Sequence, residues 1–240
     1  MENITKGAVV LKTAPTAVDM GLINAQSLRE LREEEVFTFR VAAADTQVDR
    51  DFEHFSRPCL EKLAELYVGK PFITDHRWSS SNQVARVYAA AVEEEGGVSR
   101  LVLSCYMLRG AANQPTIDAI EAGIIREVSV GVAVKSAVCS ICGADKSRGY
   151  CEHRPGRAYD GTLCTVELDD PTEAYEASFV AVPAQREAGV IKSYAGDKEG
   201  AGNVSDLDTS PDSEEIARKK RLSALIALEQ QKFIEEVPSA

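Results

Sequence analysis

Alternating apolar and polar positions mark much of the chain as strand. Val36-Phe37-Thr38-Phe39-Arg40-Val41-Ala42 alternates at period two. Val84–Val92 and Ser99–Met107 read as two more strands, joined by a hairpin turn at Glu93-Glu94-Glu95-Gly96-Gly97. Pro71–Thr74 predicts a short strand that emerges into a loop at Asp75-His76. From Glu127, Val128, Val130, Val132 and Val134 line one face of a strand, and Ser129, Gly131 and Ala133 share the other. A last strand over Ala174–Val182 is stopped by Pro183. Helical spacing is rarer. Leu60, Leu63, Ala64, Leu66 and Tyr67 predict an amphipathic helix over 58–67, with Pro58 in its first turn and Gly69 past its end. A second helix is expected over 113–122, with Asn113 as N-cap, Ile117 and Ile120 as its stripe and Gly123 as its stop.

These elements suggest three regions. Residues 1–34 form an N-terminal arm, weakly patterned, with a short charged helix or exposed segment over 28–35. Residues 35–194 form the main domain, interrupted over 137–170 by Cys, Gly, His, Pro and charge. Residues 195–240 begin as a Gly/Asp/Ser-rich flexible linker. They end in a helix whose partial apolar stripe (Ile216, Leu222, Leu225, Ile226, Phe233, Ile234) seeks a partner helix. Residues 45–51, and His54 just after them, read as turn.

The chain has 240 residues, enough for one sizeable domain plus appendages. Its net charge of −11 argues against nucleic acid as a partner, because phosphate binding needs a basic face. No apolar run approaches the ~20 residues that span a bilayer. The first residues lack a basic segment followed by an apolar one, so no signal peptide is expected and the protein should stay in a cytoplasm.

In such a reducing compartment the cysteines suggest metal rather than disulfides. Cys139-Ser140-Ile141-Cys142-Gly143 is followed by Cys151-Glu152-His153, a C-x2-C-x8-C-x-H spacing. The CxxC turn presents two thiolates from one loop, and Cys151 and His153 can complete a tetrahedron. Four protein ligands leave no open position, so the expected ion is a structural zinc, substituting for a core that so polar a loop cannot build. Cys164 is an alternative ligand. Cys59 and Cys105 lie in apolar patterns and read as core.

A second set of residues is dispersed. A nucleophilic serine needs a neutral imidazole to take its proton, and that imidazole needs a carboxylate to fix its tautomer. Ser129 sits beside a glycine on a valine-rich strand, where another backbone could approach closely. His76 stands at a strand end. Glu176, inside an apolar strand, faces solvent or has a partner. Asp75 is the rival acid, although neighbours on an extended chain point apart.

At these residues the chain resembles the prohead maturation proteases of tailed phages, related in fold to the herpesvirus assembly proteases. Phe72-Ile73-Thr74-Asp75-His76 is similar to that family's strand ending in the catalytic histidine. Gln83–Val87 resembles the strand after it, with Ala85 where glycine is usual. Gly123–Val132 resembles the helix-end glycine and the nucleophile strand, with Val132 where an aromatic is common. Tyr175–Ala184 resembles the strand that carries the third triad member. The stretch between Ser129 and Glu176 is longer than usual, and the excess coincides with the cysteine loop. The resemblance covers about residues 35–192. It implies an α+β fold built on an antiparallel, barrel-like sheet, with Ser129 as nucleophile, His76 as base and Glu176 as orienting acid. It also implies coat and scaffold proteins, and the protease itself, as substrates inside a procapsid in the bacterial cytoplasm, with room for a homo-oligomer. Two other readings compete: a non-catalytic capsid-assembly or scaffold protein that keeps the fold, and a small zinc-dependent regulator of the host.

Overall fold

Ten strands and three α-helices follow one another in the computed structural model, which describes residues 14–185 and 188–191. The elements are α1 (Ala17–Asn24), β1 (Val36–Asp45), β2 (Glu53–Phe55), α2 (Arg57–Tyr67), β3 (Pro71–Thr74), β4 (Ala85–Glu95), β5 (Val98–Leu108), α3 (Gln114–Glu121), β6 (Val128–Cys139), β7 (Ala158–Tyr159), β8 (Thr162–Leu163), β9 (Val166–Phe179) and β10 (Gly189–Ile191). The architecture is α+β: one large sheet with few helices. Its order is β10-β1-β5-β4-β3-β9-β2, and β6 also pairs with β9.

Two features differ from the predicted antiparallel barrel. The sheet is mixed, because β3 and β2 both run parallel to β9. It also lacks a closing seam of paired strands: among the described residues no pairing joins β10 to β2, and β10 meets the chain just before β6 through the single bridge Glu127↔Gly189. Closure depends on register and tilt summed over all strands, which alternation within single strands does not encode.

The predicted strands form, and several run longer than their alternation indicated. β4 and β5 continue to Glu95 and Val98, so the hairpin turn is reduced to Gly96-Gly97, both at positive φ. β6 and β9 pair from Val128↔Phe179 to Cys139↔Val166. The interruption expected over 137–170 is therefore confined to 140–165. Pro171 could remain in the strand because it lies between the β2 and β3 contacts, where among the described residues β6 is the one strand paired with β9. His54, expected in a turn, lies on β2.

The core is shared by the sheet and α2. Ser56 caps α2 by accepting the Cys59 N–H, and Leu60, Leu63, Ala64 and Tyr67 are buried beneath it. Phe39, Phe72 and Phe179 form a ring cluster with centroids 4.6–5.7 Å apart, fastening β1, β3 and β9 together. Tyr67 is fully buried, and its hydroxyl donates to the carbonyls of Gly131 (3.3 Å) and Glu176 (3.1 Å). It thus ties α2 to the Ser129 end of the β6–β9 ladder.

The helical details bring two corrections. Asn113 precedes α3, but its side chain donates to the Leu108 carbonyl instead of capping the helix. The N-terminal arm is part of the fold from α1 onward. Thr16 caps α1, and Ile23 and Leu31 join Val36 and Tyr88 in a second small core. The α1 sequence, with Gly21 and only weak periodicity, hides that helix from pattern analysis. The predicted linker and C-terminal helix over 195–240 lie outside the described residues. Among the described residues no helix is long and apolar enough to cross a membrane.

Tyr67→Phe should remove both hydroxyl contacts and leave the Gly131 and Glu176 carbonyls each with one partner fewer. The expected loss is about 1–3 kcal/mol in urea unfolding, without a change of fold by circular dichroism.

Candidate functional site

β3 is short because its chain turns away after Thr74. Asp75 and His76 both adopt left-handed backbone conformations (φ 54° and 51°), which Asp and His tolerate better than most residues. Two hydrogen bonds to β9 hold the turn: Asp75 N–H donates to the Phe179 carbonyl (2.8 Å), and His76 N–H donates to Ser178 Oγ (3.0 Å). The turn brings the imidazole back over the sheet, where His76 Nδ1 lies 2.8 Å from Glu176 Oε1. A carboxylate can only accept, so Nδ1 carries the hydrogen and Nε2 is left as the basic atom. Asp75, the rival acid, has its side chain in solvent.

Glu176 is 3% exposed. It sits at a β-bulge: Gly131 pairs with Glu176 and Val132 with Ala174, leaving Tyr175 as the extra residue. The carboxylate lies directly over Gly131. A Cβ there would fall well inside van der Waals contact with Glu176 Oε1, so only glycine leaves room for it. The sequence suggested a close approach at this glycine by another backbone; the approaching group is a side-chain carboxylate. Glu176 Oε2 is also buried and has no hydrogen-bond partner among the described residues.

Ser129 lies two residues before Gly131, in register with Ser178. Directly opposed residues of an antiparallel pair point to the same side. Ser129 therefore shares its side of the sheet with Ser178 and Glu176, and both of those hold His76. Ser129 is half-buried, and among the described residues no hydrogen bond links it to His76. His54 is elsewhere, with Nε2 3.5 Å from Glu167 Oε2.

Residues of this cluster line two hollows. One, of about 290 Å³, is bounded by Pro71, Ile73, Trp78, Tyr175 and Glu176. The exposed Trp78 ring packs on Tyr175 with centroids 5.2 Å apart. The other, of about 450 Å³, includes Ser129, Gly131, Val132, Phe55 and the acids Asp49 and Glu53. Burial, reinforced by Asp49 and Asp51, raises the Glu53 carboxyl above its usual range. Neither Trp78 nor Tyr175 stood out in the sequence. A large exposed aromatic two residues after His76 was the available signal.

At the far end of the β6–β9 ladder the chain forms the cysteine loop. Cys139, the last residue of β6, opens a tight turn closed by Gly143 N–H on the Cys139 carbonyl (2.9 Å), with Gly143 at φ 71°. Burial opposes ionisation of Cys139, but the N–H groups of Cys142 and Ile141 and the neighbouring Cys151 and Cys164 thiols favour it, bringing that thiol down to about 6. The Ala144 N–H favours the Cys142 thiolate, yet Cys151, burial and Cys139 outweigh it, and that thiol is raised. Thiolates gathered in this way repel one another, and a divalent cation between them removes the repulsion.

The donor atoms of Cys139, Cys142, Cys151 and His153 all lie within 4.8 Å of one another. Cys142 Sγ is 3.5 Å from Cys151 Sγ, and Cys151 Sγ is 3.5 Å from His153 Nδ1. Zinc–sulfur bonds of about 2.3 Å and zinc–nitrogen bonds of about 2.0 Å give tetrahedral edges of about 3.5–3.8 Å. The cluster named from spacing can thus hold a metal ion such as zinc.

Among known proteins, the chain matches no family model, no curated protein and no solved structure.

Gly131→Ala should push the Glu176 carboxylate off the imidazole. The expected result is loss of the hydrogen-bonded His76 Nδ1–H resonance in nitrogen-15 NMR, with the far-UV spectrum retained. The cysteine loop makes a separate prediction. The full chain purified with zinc should carry one ion. Removing it with a chelator should open residues 140–165 to limited proteolysis, while β1 to β5 stay protected.

Proposed function

We propose that the protein is a serine endopeptidase of the prohead-maturation type, with Ser129 as nucleophile, His76 as general base and Glu176 as the acid that orients it. The observation that carries this reading is the hydrogen bond between the buried Glu176 carboxylate and the exposed His76 ring, accommodated by Gly131 on the strand that also bears Ser129. A carboxylate removed from water and fixed on one imidazole nitrogen is costly unless it is paired, and here it sets the tautomer that a base requires.

In the reaction, Ser129 Oγ attacks the scissile carbonyl carbon and gives its proton to His76 Nε2. The imidazolium returns that proton to the departing amine as the C–N bond breaks, leaving an acyl-serine. Water, deprotonated by the same imidazole, then releases the new carboxylate and restores the serine. Glu176 keeps its hydrogen bond to Nδ1 throughout and stabilises the charged ring. Glu176 lines the hollow beside Trp78 and Tyr175, and Ser129 lines the other, so each hollow offers room for substrate residues next to one member of the triad. Following the resemblance, the substrates are the coat and scaffold proteins of an immature procapsid in the bacterial cytoplasm, and the protease itself. The fold, on this reading, is of the herpesvirus-protease kind.

One observation favours a second reading. The hydrogen bond of the His76 ring goes to Glu176, and among the described residues Ser129 and His76 share no hydrogen bond. A capsid-assembly or scaffold protein that keeps this fold without catalysis would have no need of one. The catalytic reading accommodates it, because such contacts are often loose before substrate binds.

Co-expression with the coat and scaffold proteins of the same phage separates the two. Wild type should shorten coat, scaffold or its own chain, read by intact mass, and Ser129→Ala should leave all of them whole. Proheads that assemble with every chain intact in both cases would assign the protein to assembly.

A further inference from the structure

The cysteine loop offers five donors to an ion that takes four. We propose that the metal is held by four thiolates, Cys139, Cys142, Cys151 and Cys164, and that His153 stands outside them as a hydrogen-bond donor to Cys151. This rests on the metal-binding reading of the loop and changes its ligand set.

The first argument is distance. Cys164 Sγ lies 3.8 Å from Cys139 Sγ, the edge expected of a tetrahedron with bonds of about 2.3 Å to sulfur. The Cys142–Cys151 edge on the other thiol pair is 3.5 Å. The loop therefore brings together two thiol pairs of ligand spacing, and Cys139 Sγ lies within 4.8 Å of Cys151 Sγ.

The second argument is that the backbone delivers Cys164 without help from the ion. Ser140 N–H donates to the Thr165 carbonyl (3.0 Å), and Thr165 N–H donates to Ser140 Oγ (2.9 Å). The residue after each of these two cysteines is thus clamped to the other. Cys164 itself is tied to the β7–β8 hairpin through Arg157 and Gly156. It is fully buried, but its surroundings differ from those of Cys59 and Cys105, which lie among the apolar side chains of the main core. Its close neighbour is another thiol.

The third argument concerns His153. It follows Cys151 by two positions, closer than the two- to five-residue gaps usual between paired zinc ligands. Its ring meets Tyr159 edge-on, with centroids 4.6 Å apart, and its Nδ1 is 3.5 Å from Cys151 Sγ, a normal N–H···S separation. A protonated Nδ1 in that place satisfies a ligand thiolate from outside the first coordination sphere, as ligand-orienting groups commonly do.

X-ray absorption at the zinc edge tests this on the full chain, after metal analysis. The expected spectrum of the wild type fits four sulfurs at about 2.3 Å and no nitrogen at about 2.0 Å. Cys164→Ser should lower the sulfur count to three, and His153→Gln should leave it at four. Three sulfurs and one imidazole in the wild type would overturn the proposal while keeping the metal site. A chain that retains no zinc when purified in its presence would overturn both. The wild-type spectrum decides even if Cys164→Ser fails to fold.

Discussion

The antiparallel ladder between β6 and β9 is the interaction on which the rest of the structure depends. One end of it places Ser129 opposite Ser178 and Gly131 opposite Glu176; the other places Cys139 opposite Val166. A register slip of one residue would turn Glu176 and Ser178 to the core face and Ala177 and Phe179 outward. The Phe39–Phe72–Phe179 cluster and the Tyr67 hydroxyl oppose such a slip, because both need the present register. Core packing and site geometry are therefore one constraint.

That constraint explains how a carboxylate survives among apolar neighbours. The bulge at Tyr175 aims Glu176 toward His76, and Gly131 supplies the space that a side chain would fill. β3, parallel to β9, ends where two left-handed residues can bring the imidazole back to it. Strained backbone of this sort persists where the surroundings over-determine it. Here the Asp75 and His76 N–H groups are both bonded to β9.

The cysteine loop solves a different problem at the opposite end. Residues 140–165 have few apolar side chains to bury, and β7 and β8 are two residues each. A hairpin of that size is not stable alone in water. Backbone clamps between Ser140 and Thr165 and a cluster of thiols take the place of a core. The loop leaves the ladder intact through Cys139↔Val166, so its presence does not disturb Ser129 and Glu176.

Local features were legible in the sequence because they depend on neighbours along the chain. Alternation revealed the strands from Val36 and Ala85, helical spacing revealed α2 from Leu60 to Tyr67, and the CxxC turn announced the metal cluster. His76 could be placed at a strand end for the same reason. The choice of Glu176 over Asp75 as its partner could not, because it requires β3 to pair in parallel with a strand a hundred residues away. The same holds for the use of Gly131, for the Tyr67 clamp, for the position of Cys164 beside Cys139 and for the lack, among the described residues, of a pairing between β10 and β2. Each is set by register between distant strands, and register is decided when whole faces bury together, not by any one stretch of residues.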